Sequence, residues 1–194
     1  MKFNMLEKNE LIKKFINTIP GLDLEFDVYF EKLTLDGLEE MHRYSKNEKL
    51  YKFFEFKPFT NIHETKEYMN ELFCRMSNKK SMYWFVRRKS DNRLIGTAAL
   101  TNLIYERQSV EQSYGTDPEL WGNGYILQIQ EILKHFTFEV LKLNRLSGIT
   151  MRLNNRTIQS LMASGMQHEG TLVDFYCKDG IYIDGWQYGM IAKD

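Results

Sequence analysis

The chain has 194 residues, enough for one domain or one domain with an appendage. Apolar residues make up 43% and charged residues 27%, the ordinary globular balance, so a core of normal size can form. Lysine plus arginine equal aspartate plus glutamate at 26 each, so no global field draws the protein to nucleic acid or an anionic membrane.

No apolar run approaches the ~18 residues of a membrane span. The opening MKFNMLEKNELIKKFINTIPG lacks an uninterrupted apolar stretch and is not read as a secretory signal. Leu11, Ile12, Phe15, Ile16 and Ile19 fall at helical spacing, which predicts an amphipathic helix ending near Pro20-Gly21. Residues 1–25 are taken as an N-terminal helical extension and 26–194 as the main domain. Cys74 and Cys177 lie far apart and outside any CxxC, so two free thiols, buried or half-buried, in a reducing cytoplasm are expected.

LEFDVYFEKLTL (24–35) alternates as a strand does, and LDGLEEMHRYSKNEKL (35–50) follows as a helix. YKFFEFKPFT (51–60) is crowded with aromatics and reaches a proline. Helical spacing returns over 61–78, and 83–100 reads as two strands joined at Ser90-Asp91-Asn92. QSVEQSYGT (108–116) alternates with period two. Ile126, Ile129, Leu133, Phe136 and Val140 then mark a helix. NRLSGITM (144–151) is a strand, and NNRTIQSLMASG (154–165) is a helix with an asparagine cap and a glycine stop. TLVDFYCK and IYIDGWQYGMI close the chain as a hairpin turning at Asp179-Gly180. This order predicts an α/β (α+β) fold with a mixed sheet.

YGTDPELWGNGYI places a strand, a glycine turn and a helix in succession. The first N–H groups of a helix have no internal partner and carry partial positive charge, and glycine lets a phosphate approach the backbone. The stretch is neither a P-loop nor a dinucleotide fingerprint, because GK[ST] and GxGxxG are both absent. A tight turn without a ligand would use glycine in the same way.

Three stretches together resemble the GNAT superfamily of acyl-CoA-dependent N-acyltransferases, and most closely its ribosomal-protein N-terminal acetyltransferase branch. They are VEQSYGTDPELWGNGY (110–125), LKLNRLSGITMRLNNRTIQSLMASGM (141–166) and EGTLVDFYCKDGIYIDGWQYGMI (169–191). The resemblance covers roughly residues 26–191. It implies a mostly antiparallel sheet splayed at a cofactor cleft, and acetyl transfer from acetyl-CoA to a primary amine, with no metal. Three positions depart from the family pattern. Trp121 stands where Gln or Arg usually opens the loop, Asn123 where Lys is common, and Ile126 where Gly or Ala usually ends it. Ile126 is bulky enough to narrow the phosphate path.

The resemblance further implies where the cofactor lies. Pantetheine would follow Tyr114, Gly115 and Thr116. The pyrophosphate would meet the amides of Trp121, Gly122, Asn123, Gly124 and Tyr125. Asn154 would contact the CoA arm, and Thr157 would stand near the sulfur. The attacking amine has a free pKa of about 10 and must lose a proton to a base. Glu111, on the strand face of Ser109 and Ser113, is the base candidate, although a solvent-facing strand glutamate would look the same. Thr157 also fits plain helix-start chemistry. The tyrosine some members carry four residues before the helix-ending glycine is Leu161 here, which leaves Tyr114 as a stand-in acid.

KLYKFFEFKPF (49–59) interleaves Lys49, Lys52 and Lys57 with five aromatic rings. A nucleotide-linked amino sugar suits that mix, as does a peptide N-terminus, and so do core aromatics under lysine stems. His42, His63, His135 and His168 form no HxxxH or HxxE pattern. The expected partner is an amine-bearing small molecule or a peptide N-terminus, on a monomer or homodimer. A CoA- or ligand-binding module without transfer is the alternative, and an enzyme acting on a macromolecule is a third class.

Overall fold

Helix α1 (Met5–Asn17) forms where the apolar spacing predicts it, with Glu7 in its first turn and Lys14 in its last, as the helix dipole favours. The computed structural model describes residues 5–21 and 23–192. Phe15 of α1 is fully buried in the same core as the central sheet, with Leu11, Ile12, Ile16 and Ile19 against it. Phe15→Ala should therefore cost about 3–5 kcal/mol of unfolding free energy. Chemical denaturation measures it, and a loss below about 0.5 kcal/mol would mark α1 as a dispensable appendage.

The remaining elements are β1 (Val28–Lys32), α2 (Leu38–Ser45), α3 (Ile62–Ser77), β2 (Met82–Arg88), β3 (Leu94–Ile104), β4 (Ser109–Thr116), α4 (Tyr125–His135), β5 (Arg145–Met151), α5 (Asn155–Ala163), β6 (Gln167–Lys178) and β7 (Ile181–Ile191). The seven strands run in the order β1-β2-β3-β4-β5-β7-β6. Every pairing is antiparallel except β4 with β5.

Strand periodicity sorts the core into two layers. Trp84 and Val86 of β2 join the core built on α1, α4 and α5, while Phe85 between them joins α2 and α3. Ile129, Ile132 and Leu133 of α4 are fully buried in the first layer, as is Phe136, where the helix read through Val140 passes into a π-helical turn, Phe136–Val140.

The parallel pair positions the site. β4 and β5 are joined only at Ser109↔Arg145, Val110↔Leu146 and Glu111↔Ser147. Beyond Glu111, β4 keeps β3 on its other side as far as Thr116 but has no strand toward β5. The sheet therefore splays at Gln112, as the family resemblance implies.

Several boundaries differ from the sequence reading. The first strand is shorter than 24–35 because Thr34 leads into a 3-10 turn at Leu35–Gly37. The helix predicted over 35–50 stops at Ser45, and a second 3-10 segment, Glu48–Phe53, starts at Asn47, whose side chain accepts from the Lys49 N–H. β6 starts at Gln167 rather than Thr171, and two register shifts interrupt this mostly exposed edge strand. The hairpin turn is as expected, with Asp179 and Gly180 both at positive φ (50° and 78°). Cys74 and Cys177 are free but exposed, which corrects the expected burial: α3 and β6 turn both toward solvent. Among the described residues, no helix is long and apolar enough to cross a membrane.

Candidate active site

The splay opens a cleft of about 540 Å³. One wall is the turn before α4. Asp117, buried, caps the short turn Pro118–Leu120 by accepting from the Glu119 N–H (3.1 Å), and Arg93 holds it from behind at 2.7 Å. Trp121 gives its amide to the Pro118 carbonyl (3.4 Å) and its indole N–H to the Thr116 carbonyl (3.1 Å). Its ring lies 3.9 Å from the Arg156 guanidinium of α5, a cation–π contact. Asn123 closes the turn by donating from Nδ2 to the Leu120 carbonyl at 2.9 Å.

Gly122 (φ +90°) and Gly124 (φ +78°) occupy the left-handed region, which glycine enters without strain. A Cβ added at either would meet nothing within 4 Å. Among the described residues, the amide N–H groups of Gly122 through Leu127 reach no backbone acceptor, and the first α4 amide with one is Gln128, to the Gly124 carbonyl at 3.4 Å. No side chain caps α4, and its first turn has no acidic residue. Six consecutive donors at a positive helix end, beside open space, have the geometry that can receive an anion. The run begins one residue later than the sequence reading has it, because the Trp121 amide is already used. It extends through Ile126, which lines the cleft, and Leu127.

The opposite wall is α5. Asn154 caps it by accepting from the Thr157 N–H at 3.3 Å, and both residues line the cleft. At the floor, Gln112 reaches across the splay, its Cγ 3.5 Å from where a Gly148 Cβ would stand. Tyr114 Oη accepts from Gln130 Nε2 at 2.6 Å and lies 3.4 Å from Ser160 Oγ. Burial pushes the Tyr114 phenol up to about 12, so it is a neutral donor at pH 7. Glu111, the last β4 residue paired with β5, lines the cleft with Oε2 accepting from Asn102 Nδ2 at 3.2 Å.

The segment 49–59 covers the near side. Tyr51 is buried, and Phe54, Phe56, Phe59 and Tyr68 ring it at centroid distances of 5.3–6.1 Å from one another or from Tyr51. The aromatics thus form a small core of their own, while Lys49, Lys52, Phe53 and Phe54 also line the cleft. Lys178 Nζ donates to the Tyr51 and Phe54 carbonyls (3.0 and 2.6 Å), and Glu55 accepts from the Cys177 N–H (2.9 Å), tying the closing hairpin to this segment.

Of the residues singled out in the sequence, Glu111, Tyr114, Gly115, Thr116, Trp121, Asn154 and Thr157 line this cleft, while Gly122, Asn123, Gly124 and Tyr125 lie in the turn beside it and not among the residues that line it. Sequence reasoning missed Gln130, Ser160, Arg156, Glu55 and Tyr176. Gln130 left a signal: it stands four residues after Ile126 and three before Leu133, a polar residue inside an apolar stripe. Tyr176 and Glu55 left none, because only the folded hairpin brings them to the cleft. Among the described residues, no group of three or more His, Cys, Asp or Glu is placed to hold a metal ion.

The Acetyltransferase (GNAT) domain family matches residues 27–167, most of the chain and the whole of this cleft's β4, α4 and β5 frame. The chain belongs to the GNAT acetyltransferase family. The family carries acetyl transfer to amines. The chain is 21% identical over 169 residues to "Uncharacterized N-acetyltransferase YoaA" of Bacillus subtilis, covering 87% of this chain and 96% of that one. Its fold is similar to a spermidine N-acetyltransferase from Vibrio cholerae solved in complex with CoA and spermine: TM-score 0.72, 20% identity, 85% of this chain and 95% of that one. It is also similar to a ribosomal-protein-S5-alanine acetyltransferase from Vibrio fischeri, with TM-score 0.75, 18% identity and coverage of 88% and 97%.

Proposed function

We propose that this GNAT protein transfers an acetyl group from acetyl-CoA to a primary amine of a small molecule or a protein N-terminus, and that it stands with the ribosomal-protein N-terminal acetyltransferase branch. The six free amides from Gly122 to Leu127, beside a strand edge that has lost its neighbour, carry this reading. The cradle fits a pyrophosphate, and the unpaired β4 edge at Tyr114, Gly115 and Thr116 fits the amide-bearing pantetheine arm. Arg156, held over Trp121, adds a cation at the mouth, and Asn154 and Thr157 face the same arm from α5.

Bound acetyl-CoA supplies an activated thioester, whose C–S bond breaks as the C–N bond forms, the sulfur leaving with the electron pair. Glu111 takes the proton that the attacking amine gives up and returns it to solvent. Tyr114, kept neutral by burial, gives its phenol proton to the departing sulfur and is reprotonated from solvent. Thr157 is placed to assist on the sulfur side. The aromatic segment 49–59 and the closing hairpin bound the acceptor end.

The test is calorimetric titration with acetyl-CoA, followed by thiol release against a panel of polyamines, amino sugars and N-terminal peptides. Saturable binding with thiol release for one class is expected. Binding without release for any amine would favour a CoA-binding module, and absence of binding at millimolar acetyl-CoA would refute the cradle.

A further inference from the structure

Tyr114 is held in a chain of groups drawn from three elements. Gln130 of α4 donates from Nε2 to Tyr114 Oη at 2.6 Å. Tyr114 Oη lies 3.4 Å from Ser160 Oγ of α5, and Ser160 Oγ donates to the Thr157 carbonyl at 2.9 Å. The serine has one proton, and it goes to Thr157, so toward Tyr114 the serine is an acceptor. The phenol oxygen is already taking a proton from Gln130, so the phenol's own proton is directed toward Ser160 and the cleft that both residues line.

Gln130 itself is out of place on packing grounds. It is 1% exposed among Ile129, Ile132 and Leu133, and its Oε1 has no partner among the described residues. A buried carbonyl without a partner destabilises the fold, and a leucine there would remove the penalty. Only the carboxamide N–H has a use in the structure, and that use is Tyr114.

We propose that Gln130 is the positioning residue that aims the Tyr114 proton into the cleft, with Ser160 holding that proton between turnovers. The consequence rests on the acetyltransferase reading: as the C–S bond breaks, the phenol proton passes to sulfur. The phenolate left behind is stabilised by the Gln130 N–H until solvent reprotonates it. The aim of the proton does not rest on that reading. The charged side chains around the cleft are Glu111 of β4, Lys49, Lys52 and Glu55 of the aromatic segment, and Arg156 of α5, and none bonds the phenol.

The test replaces Tyr114 with a difluorotyrosine, whose phenol titrates within the stable pH range, and follows its absorbance with and without Gln130→Met. Methionine keeps the length and loses the N–H, and Gln130→Leu serves as a second variant should methionine pack badly. An N–H directed at the phenol oxygen favours the phenolate, so its loss should raise the titration midpoint by about one pH unit, the size of a single hydrogen bond to a charged oxygen. A fall would mean that the phenol donates to the Gln130 carbonyl instead and points away from the cleft. Either a fall or no change overturns the proposal. Acetyl-CoA affinity, read by calorimetry, should stay within about threefold because the loop is untouched. With a turned-over acceptor, kcat should drop about tenfold at unchanged KM, the pattern of an interaction made only in the transition state. If no amine is acetylated at all, the transferase reading fails, while the absorbance titration still decides the role of Gln130.

Discussion

Gly124→Glu should weaken acetyl-CoA binding by about 100-fold or more, equivalent to about 2.7 kcal/mol. Two effects add. The residue sits at φ +78°, so any side chain carries left-handed strain of about 1–2 kcal/mol, which lowers stability and disturbs the turn. The carboxylate would also stand among six free N–H groups and compete for them with an anionic ligand. Gly124→Ala separates the two: it brings the strain without the charge, and its Cβ meets nothing within 4 Å. The alanine variant should lose stability yet bind within about tenfold of the parent, since its strain alone is of order 1 kcal/mol. Calorimetry on both variants, beside thermal melts, makes the comparison. Equal affinities for the alanine and glutamate variants would remove the phosphate from this turn.

Local signals were legible where one physical cause dominates. The α4 stripe, the Asn154 cap, the Asp179-Gly180 turn and the glycine pair each depend on a few adjacent residues, and each lies where the sequence puts it. The stretch 46–53 was not legible. The helix read over 35–50 runs into it, but the Asn47 side chain takes the Lys49 amide and the chain turns into a 3-10 segment at Glu48–Phe53. The strand at TLVDFYCK was legible but its start was not: β6 begins four residues earlier, at Gln167, and the Asp174 backbone at φ +51° interrupts the register between Leu172 and Tyr176.

The site divides the same way. The turn of free amides was legible because its donors are backbone groups, fixed by the position of glycine and of the helix start. The wall around Tyr114 was only partly legible, because Gln130 and Ser160 meet the phenol across 16 and 46 residues of chain. The splay adds a constraint that no sequence window contains. Only three residues of β4 pair with β5, so Glu111 ends the ladder and Gln112 begins the cleft. A carboxylate at that junction is fixed by the sheet on one side and open to the cleft on the other.

Glu111→Gln should therefore lower kcat by about 100-fold while leaving the KM for acetyl-CoA within about threefold, since a positioned general base contributes typically 10²–10⁴. The substitution is nearly isosteric. The glutamine carbonyl can still accept from Asn102 Nδ2, the hydrogen bond Glu111 makes now, so the sheet edge has no reason to move. What disappears is the ability to take a proton from the amine. Steady-state kinetics with any acceptor that the amine panel identifies, beside a melt showing an unchanged Tm, makes the measurement. The pH profile adds a second reading: without a base on the protein, the rate should track the fraction of free amine and climb toward the amine's own pKa, about 10 for an alkylamine. A variant with the parent kcat would move the base to a water chain and leave Glu111 as an acceptor for Asn102 alone. A variant whose KM for the amine rises while kcat holds would make Glu111 a binding group for the ammonium form, and the proton would then leave by another route.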